Sequence, residues 1–314
     1  MRRVLVALIA AAVVGVGTGS VHAGNTDTRQ AEPMTDSGKT EVAGAYWARY
    51  GLIAVGGGFV DSGEATRDLL LFDVDADQWS RGPDLPGPRD HAALVALDGA
   101  LYLVGGFTTG LAGATAEVWR LDAPDGAWVE VASMGTPRGA LGAVAVDGRL
   151  LAVGGVDGSN RDLVSTEWYD PDADAWTPGP DLSRSRQHIG VAARRGTVYA
   201  IGGRSPNLDS VERLRFRGGE PAGEWRDGAG LGFSRSGHGA ATVDGTVCTA
   251  GGEEQAGTIA PIECLRRGRW DHVADMTVPR HGLAVVAVGD ELHLISGGPE
   301  PGFAFSVEHE VLEL

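Results

Sequence analysis

Six basic residues return along this chain at nearly constant spacing: Lys39, Arg89, Arg138, Arg186, Arg235 and Arg280, 45 to 50 residues apart. Cations gathered on one face would form a collar suited to carboxylate, sulfate or phosphate groups, or to an acidic peptide. The same residues could instead serve the framework, binding carbonyls of a neighbouring repeat or the Asp of Pro83-Asp84-Leu85, Pro180-Asp181-Leu182 and Ala274-Asp275-Met276. An acid also returns once per repeat, as Glu117, Glu167, Glu212, Glu263 and Glu308, and that periodicity suggests a partner for the arginines more than a catalyst. His91, His188, His238 and His281 stand one to three residues after a cation. Their uneven offsets give no reason to converge, so neither a metal site nor a cofactor is expected from them. Glu64, Glu253, Glu254 and Glu300 fall in loops on the collar side and could move protons, but nothing singles one out. No Ser-His-Asp spacing or phosphate-binding glycine loop is present, and Gly56-Gly57-Gly58 reads as a strand end.

The elements that must position these residues are repeats. Glycine pairs at Gly56-Gly57, Gly105-Gly106, Gly154-Gly155, Gly202-Gly203, Gly251-Gly252 and Gly297-Gly298 keep a step of 46 to 49 residues. Trp79, Trp128, Trp176, Trp225 and Trp270 are each followed six residues later by Leu or Met, and four residues after that by the repeat's Arg. Within each unit four short apolar or alternating runs are split by Asp-Gly, Gly-Gly or Asp-Pro turns, which reads as four antiparallel strands. One such sheet cannot bury both faces, whereas sheets stacked radially can. The expected fold is therefore all-β: a six-bladed β-propeller of four-stranded antiparallel blades. The cations would open the first strands, which line the central channel.

The double glycine after the second strand, Glu167-Trp168-Tyr169 in the third, and the spaced Trp together resemble the kelch repeat. The resemblance covers almost all of the chain after its N-terminal segment. It implies a propeller, and it leaves function open among interaction modules, sugar-acid mutarotases and copper oxidases. A copper-radical oxidase would need two Tyr and two His ligands with a Cys joined to one Tyr. Tyr102 and Tyr199 sit at ordinary repeat positions, and that reading is set aside.

Residues 1–23 read as an export signal: Arg2-Arg3, an apolar stretch from Val4 to Val16, and Val21-His22-Ala23 before cleavage. A secreted or periplasmic protein is expected, with no membrane span in the mature chain. Residues 24–38 look like a linker, yet Met34 stands before Lys39 much as Met276 stands before Arg280. The last unit, within a propeller spanning 39–314, lacks a fourth strand. Residues 28–34 are expected to supply it and close the ring, which removes an exposed edge. Cys248 and Cys264 fall on neighbouring strands of the fifth unit, and in an exported chain a disulfide between them is expected, two separate buried thiols being the alternative.

A formal net charge of −16 and the lack of a basic run disfavour nucleic acid. The expected function is a monomeric binding module that recognises a protein or glycan, anionic groups included, through the loop face around the channel. The alternative is a cofactor-free mutarotase of the sialic acid type. An enzyme requires unpaired Arg and Glu in a deep pocket; a module has its arginines neutralised by framework acids.

Overall fold

A computed structural model describes residues 28–34 and 37–314; the expected export signal lies outside these residues. Six antiparallel sheets stand around one axis. Blade 1 runs Ala43–Trp47, Leu52–Gly56, Leu69–Asp73 and Gln78–Arg81, and blade 2 runs Ala93–Leu97, Ala100–Val104, Val118–Leu121 and Val129–Val131. Blade 3 is Gly142–Val146, Arg149–Val153, Thr166–Asp170 and Ala175–Pro178. Blade 4 is Gly190–Arg194, Thr197–Ile201, Val211–Arg217 and Arg226–Asp227, and blade 5 is Ser236–Val243, Thr246–Glu254, Pro261–Arg266 and Arg269–Asp275. Blade 6 takes Ala284–Val288, Glu291–Ile295 and His309–Glu313 from the C-terminal part and Thr28–Gln30 from the N-terminal part. Thr28, Arg29 and Gln30 pair with Leu312, Val311 and Glu310, so the ring closes as expected. Among the described residues no helix is long and apolar enough to cross a membrane.

The turn chemistry follows the sequence. In the two-residue hairpins Asp98-Gly99, Asp147-Gly148 and Asp244-Gly245 both residues have positive φ, the conformation that short side chains and glycine tolerate. Cys248 sits directly across from Cys264 and is bonded to it.

The glycine pair stitches one blade to the next. The second glycine donates its N–H to the carbonyl of the next blade's cation: Gly58 to Arg89, Gly106 to Arg138, Gly155 to Arg186, Gly203 to Arg235, Gly252 to Arg280 and Gly297 to Lys39. A Cβ on Gly154 would lie 2.5 Å from the Arg186 carbonyl oxygen, so no side chain fits there. These bonds correct the sequence register in two units. The pair at work in blade 1 is Gly57-Gly58, and in blade 6 it is Ser296-Gly297, with Ser296 at φ 61° in the first glycine's place.

The tryptophans hold the outer rim. Trp128, Trp176, Trp225 and Trp270 donate their indole N–H to the carbonyls of Pro83, Ala132, Pro180 and Ala229, each on the preceding blade. Trp79 donates to Glu32, so the N-terminal segment occupies the place of a preceding blade's outer edge. Met34 is buried and its N–H donates to Val307, as Met276 donates to Ala260.

Candidate functional site

The cations do not form a collar. They lie in the approach to the first strands and are buried. Arg138 donates to the carbonyls of Gly154 and Ser165, to Ser165 Oγ, and to Glu167 at 2.8 Å. Arg186 repeats this with Gly202, Ser210 and Glu212, and Arg235 with Gly251, Pro261 and Glu263. Arg89 pairs with Glu117. Lys39 uses Asp68 at 2.8 Å, and Arg280 uses Glu310 at 3.7 Å in place of the expected Glu308, whose carbonyl it also caps. A guanidinium is a five-donor fork, so one side chain covers the carbonyls at two strand ends and a carboxylate together. Burial lowers Arg280 to about 10, with Glu310 and Glu308 pulling the other way, so it stays charged near neutral pH. Strand alternation alone placed these side chains toward the axis; their actual position before the strand turns them back into their own blade.

What does face the axis is the second residue after each cation: Glu41, His91, Ala140, His188, Gly237 and Gly282. All six have positive φ, between 50° and 62°. Each successive N–H donates to the carbonyl one blade back, from His91 to Glu41 through Gly282 to Gly237, and Val42 N–H to the Gly282 carbonyl closes the circle. Positive φ is uncommon for Glu and His, and non-glycine residues held there cluster at functional sites. Three positions carry long polar side chains, and their ligating atoms all lie within 4.8 Å of one another: Glu41, His91 and His188.

The expectation that the histidines stay apart is thus corrected. His91 Nε2 lies 3.2 Å from Glu41 Oε2, and the His91 and His188 rings meet edge to face at 4.6 Å. His281 brings Nδ1 to 3.3 Å from Glu41 Oε1. His238 does not join them; its Nε2 lies 3.1 Å from the Ile201 carbonyl, and burial, followed by repulsion from Arg235, pushes it down to about 3. Arg204, which the repeat pattern did not flag, donates to His188 Nε2 at 2.8 Å and to Glu253 at 2.9 Å. Burial works against the Glu41 carboxylate, but His91, His281 and His188 outweigh it and hold the group well below the ordinary carboxylate range. Burial, then repulsion from His91, keeps His188 neutral.

A recess of about 100 Å³ opens over this cluster, walled by Phe59, Leu111 and Phe303, and the axis continues beneath it in a space of about 130 Å³. Beside it lies a cleft of about 590 Å³ whose wall includes Arg204, Asn207, Ser236, Glu253 and Glu254. Of the loop acids, Glu253 reaches both spaces and Glu254 only the cleft, while Glu300 lends its backbone carbonyl to His281. Away from the mouth, Arg213, Arg215, Arg217 and Arg226 line a separate cleft of about 440 Å³ on blade 4.

Kelch-motif family models match residues 88–135 and 137–183, which are blades 2 and 3 with their leading loops. The chain carries kelch motifs. It is 26% identical over 243 residues to the kelch-like protein terF of Aspergillus terreus, covering 74% of this chain and 44% of that protein. It is 23% identical to the kelch repeat protein M-T8 of Myxoma virus, with 74% and 36% covered. To the kelch-like protein 41a of Danio rerio it is 29% identical over 141 residues, with 44% and 23% covered. The chain spans less than half the length of these curated relatives. The solved structure of YjhT has the same fold at a TM-score of 0.74 and 17% identity, covering 89% of this chain and 96% of that one.

Proposed function

We propose that this kelch propeller is an exported, monomeric binding module that engages a protein partner across the mouth of its channel. The observation that carries the reading is the exposed apolar rim there: Phe303 is 60% and Leu111 51% exposed, and Phe303 stacks edge to face on the buried Phe59 at 5.2 Å. Large apolar side chains left in water beside a cleft of hydrogen-bonding groups have the composition of a binding hot spot and its polar surround. The neutralisation of all six repeat cations by acids of their own blades supports a module over a mutarotase, whose substrate carboxylate needs an unpaired cation. The disulfide and the sequence of residues 1–23 support export. The cleft on blade 4, with four arginines and Glu224, suits anionic groups better than the channel does.

Affinity capture from the extracytoplasmic fraction tests this, with wild type, Phe303→Ala, Leu111→Asp and Arg213→Glu/Arg215→Glu in parallel. A partner retained by wild type and by the blade 4 variant, and lost by both rim variants, is the expected result. Capture that survives both rim substitutions, binding confined to a glycan array, or faster anomer exchange of sialic acid by NMR would each overturn it.

A further inference from the structure

We propose that Glu41, His91 and His188, with His281 beside them, bind a divalent transition-metal ion at the channel mouth, Zn²⁺ being the probe of choice. The inference does not depend on the protein-partner reading. It starts from where each imidazole spends its outer nitrogen. His91 Nδ1 lies 2.7 Å from the buried carboxylate of Asp90, so that nitrogen carries the proton. His188 Nδ1 lies 2.7 Å from Gln187 Oε1, and Gln187 is held in that orientation by donating its Nε2 to Asp162 at 2.7 Å. His281 Nε2 lies 3.0 Å from the Glu300 carbonyl. Each ring therefore donates outward and turns its other nitrogen inward. A ligating histidine with its far N–H fixed by a carboxylate or carbonyl is the usual outer shell of a metal centre.

Inside, these nitrogens meet a carboxylate. His91 Nε2 is 3.2 Å from one Glu41 oxygen and His281 Nδ1 3.3 Å from the other, with Glu253 at 4.0 Å from the same Nδ1. His281 is 2% exposed, and its Nδ1 faces the carboxylates of Glu41 and Glu253. Imidazole nitrogens facing a carboxylate in a buried place share a cation, either a proton, which Glu41 favours on His281, or a metal ion that displaces it. Ligands about 2.0–2.1 Å from a tetrahedral ion stand roughly 3.3 Å apart; the two contacts to Glu41 already have that spacing, and the Glu41, His91 and His188 atoms, within 4.8 Å of one another, close in on loading. Two or three imidazoles with one carboxylate suit zinc and its first-row neighbours, and no thiolate is at hand to favour softer ions. Glu41 and Glu253 supply two negative charges against the single charge of Arg204. Arg204 occupies the lone pair of His188 at 2.8 Å, so loading the ion moves it off His188 while its bond to Glu253 remains available.

The test is equilibrium dialysis and calorimetry of the full mature chain, carrying no histidine tag, with Zn²⁺ alone. One equivalent bound at micromolar Kd or tighter is expected. His91→Asn and His188→Asn keep a side chain that tolerates positive φ, and each should weaken binding more than about 100-fold, beyond what outer-shell changes cost. Asp90→Asn should weaken it about 10-fold through the outer shell, Arg204→Ala should tighten it, and His272→Ala, an exposed histidine paired with Asp275, should change nothing. Co²⁺ taken up in its place should show visible ligand-field bands that His188→Asn abolishes. No stoichiometric Zn²⁺ on the wild type, or binding unchanged in both Asn variants, overturns the proposal.

Discussion

Replacing Arg186 by Met separates the framework role of the repeat cations from a ligand-binding one. Arg186 and Glu212 are each almost wholly buried, with nitrogen and oxygen 2.9 Å apart. The guanidinium also serves the carbonyls of Gly202 at 2.8 Å and Ser210 at 2.9 Å, and Ser210 Oγ at 3.0 Å. Methionine fills much of the volume but leaves these acceptors bare and takes the cation from the buried Glu212, to which the Ser183 N–H still donates at 2.8 Å. Breaking a buried pair from one side costs about 3–5 kcal/mol. At about 2–4 °C per kcal/mol for a domain of this order of size, Tm should fall by roughly 10 °C. Arg186→Lys keeps the charge and loses the fork, and it should cost roughly half as much. Urea unfolding followed by tryptophan fluorescence gives both numbers. If Arg186→Met unfolds within about 0.5 kcal/mol of wild type, as surface substitutions do, the staple reasoning is wrong and a ligand-facing role returns.

Two further outcomes can be measured on the same chain. Removing residues through Met34 opens the edge of His309–Glu313 and takes away a core side chain and the acceptor of Trp79; the truncated protein should melt at least roughly 10 °C lower and self-associate by light scattering, and an unchanged, monodisperse protein would contradict ring closure. The buried pair His293 and His309, ring nitrogens 2.9 Å apart, has its pKa values pushed down to about 4 and about 3, by burial first and then by nearby charge, with Glu291 pulling His293 upward. Because the folded values lie below the unfolded value of about 6.5, the native state binds fewer protons: stability is full above about pH 6.5 and is lost as pH falls toward about 4, by up to about 1.4 kcal/mol per group per pH unit. Melting curves from pH 7.5 to 4.5 should show this slope, shallower in His309→Gln, and a flat profile would refute it.

The number of blades, their four strands and the closing role of the N-terminal segment could be read from the chain because they are periodic. Glycine pairs, tryptophans and Leu or Met anchors each answer a local demand that recurs in every sheet, so spacing alone reveals them. Even Met34 was legible, since an anchor six-fold repeated in space must be six-fold repeated in sequence. The side-chain geometry of the site was not. Whether Arg138 faces the channel or its own blade depends on which residue begins the strand, and a shift of one position reverses the answer. His91 and His188 come from blades that are not neighbours in sequence, and Glu41 from the first unit; only closing the wheel sets them within 4.8 Å. A signal was present, because Glu41, His91 and His188 each stand two residues after a repeat cation. It became meaningful only when the backbone there proved to turn left-handed in every blade and to aim that one side chain at the axis.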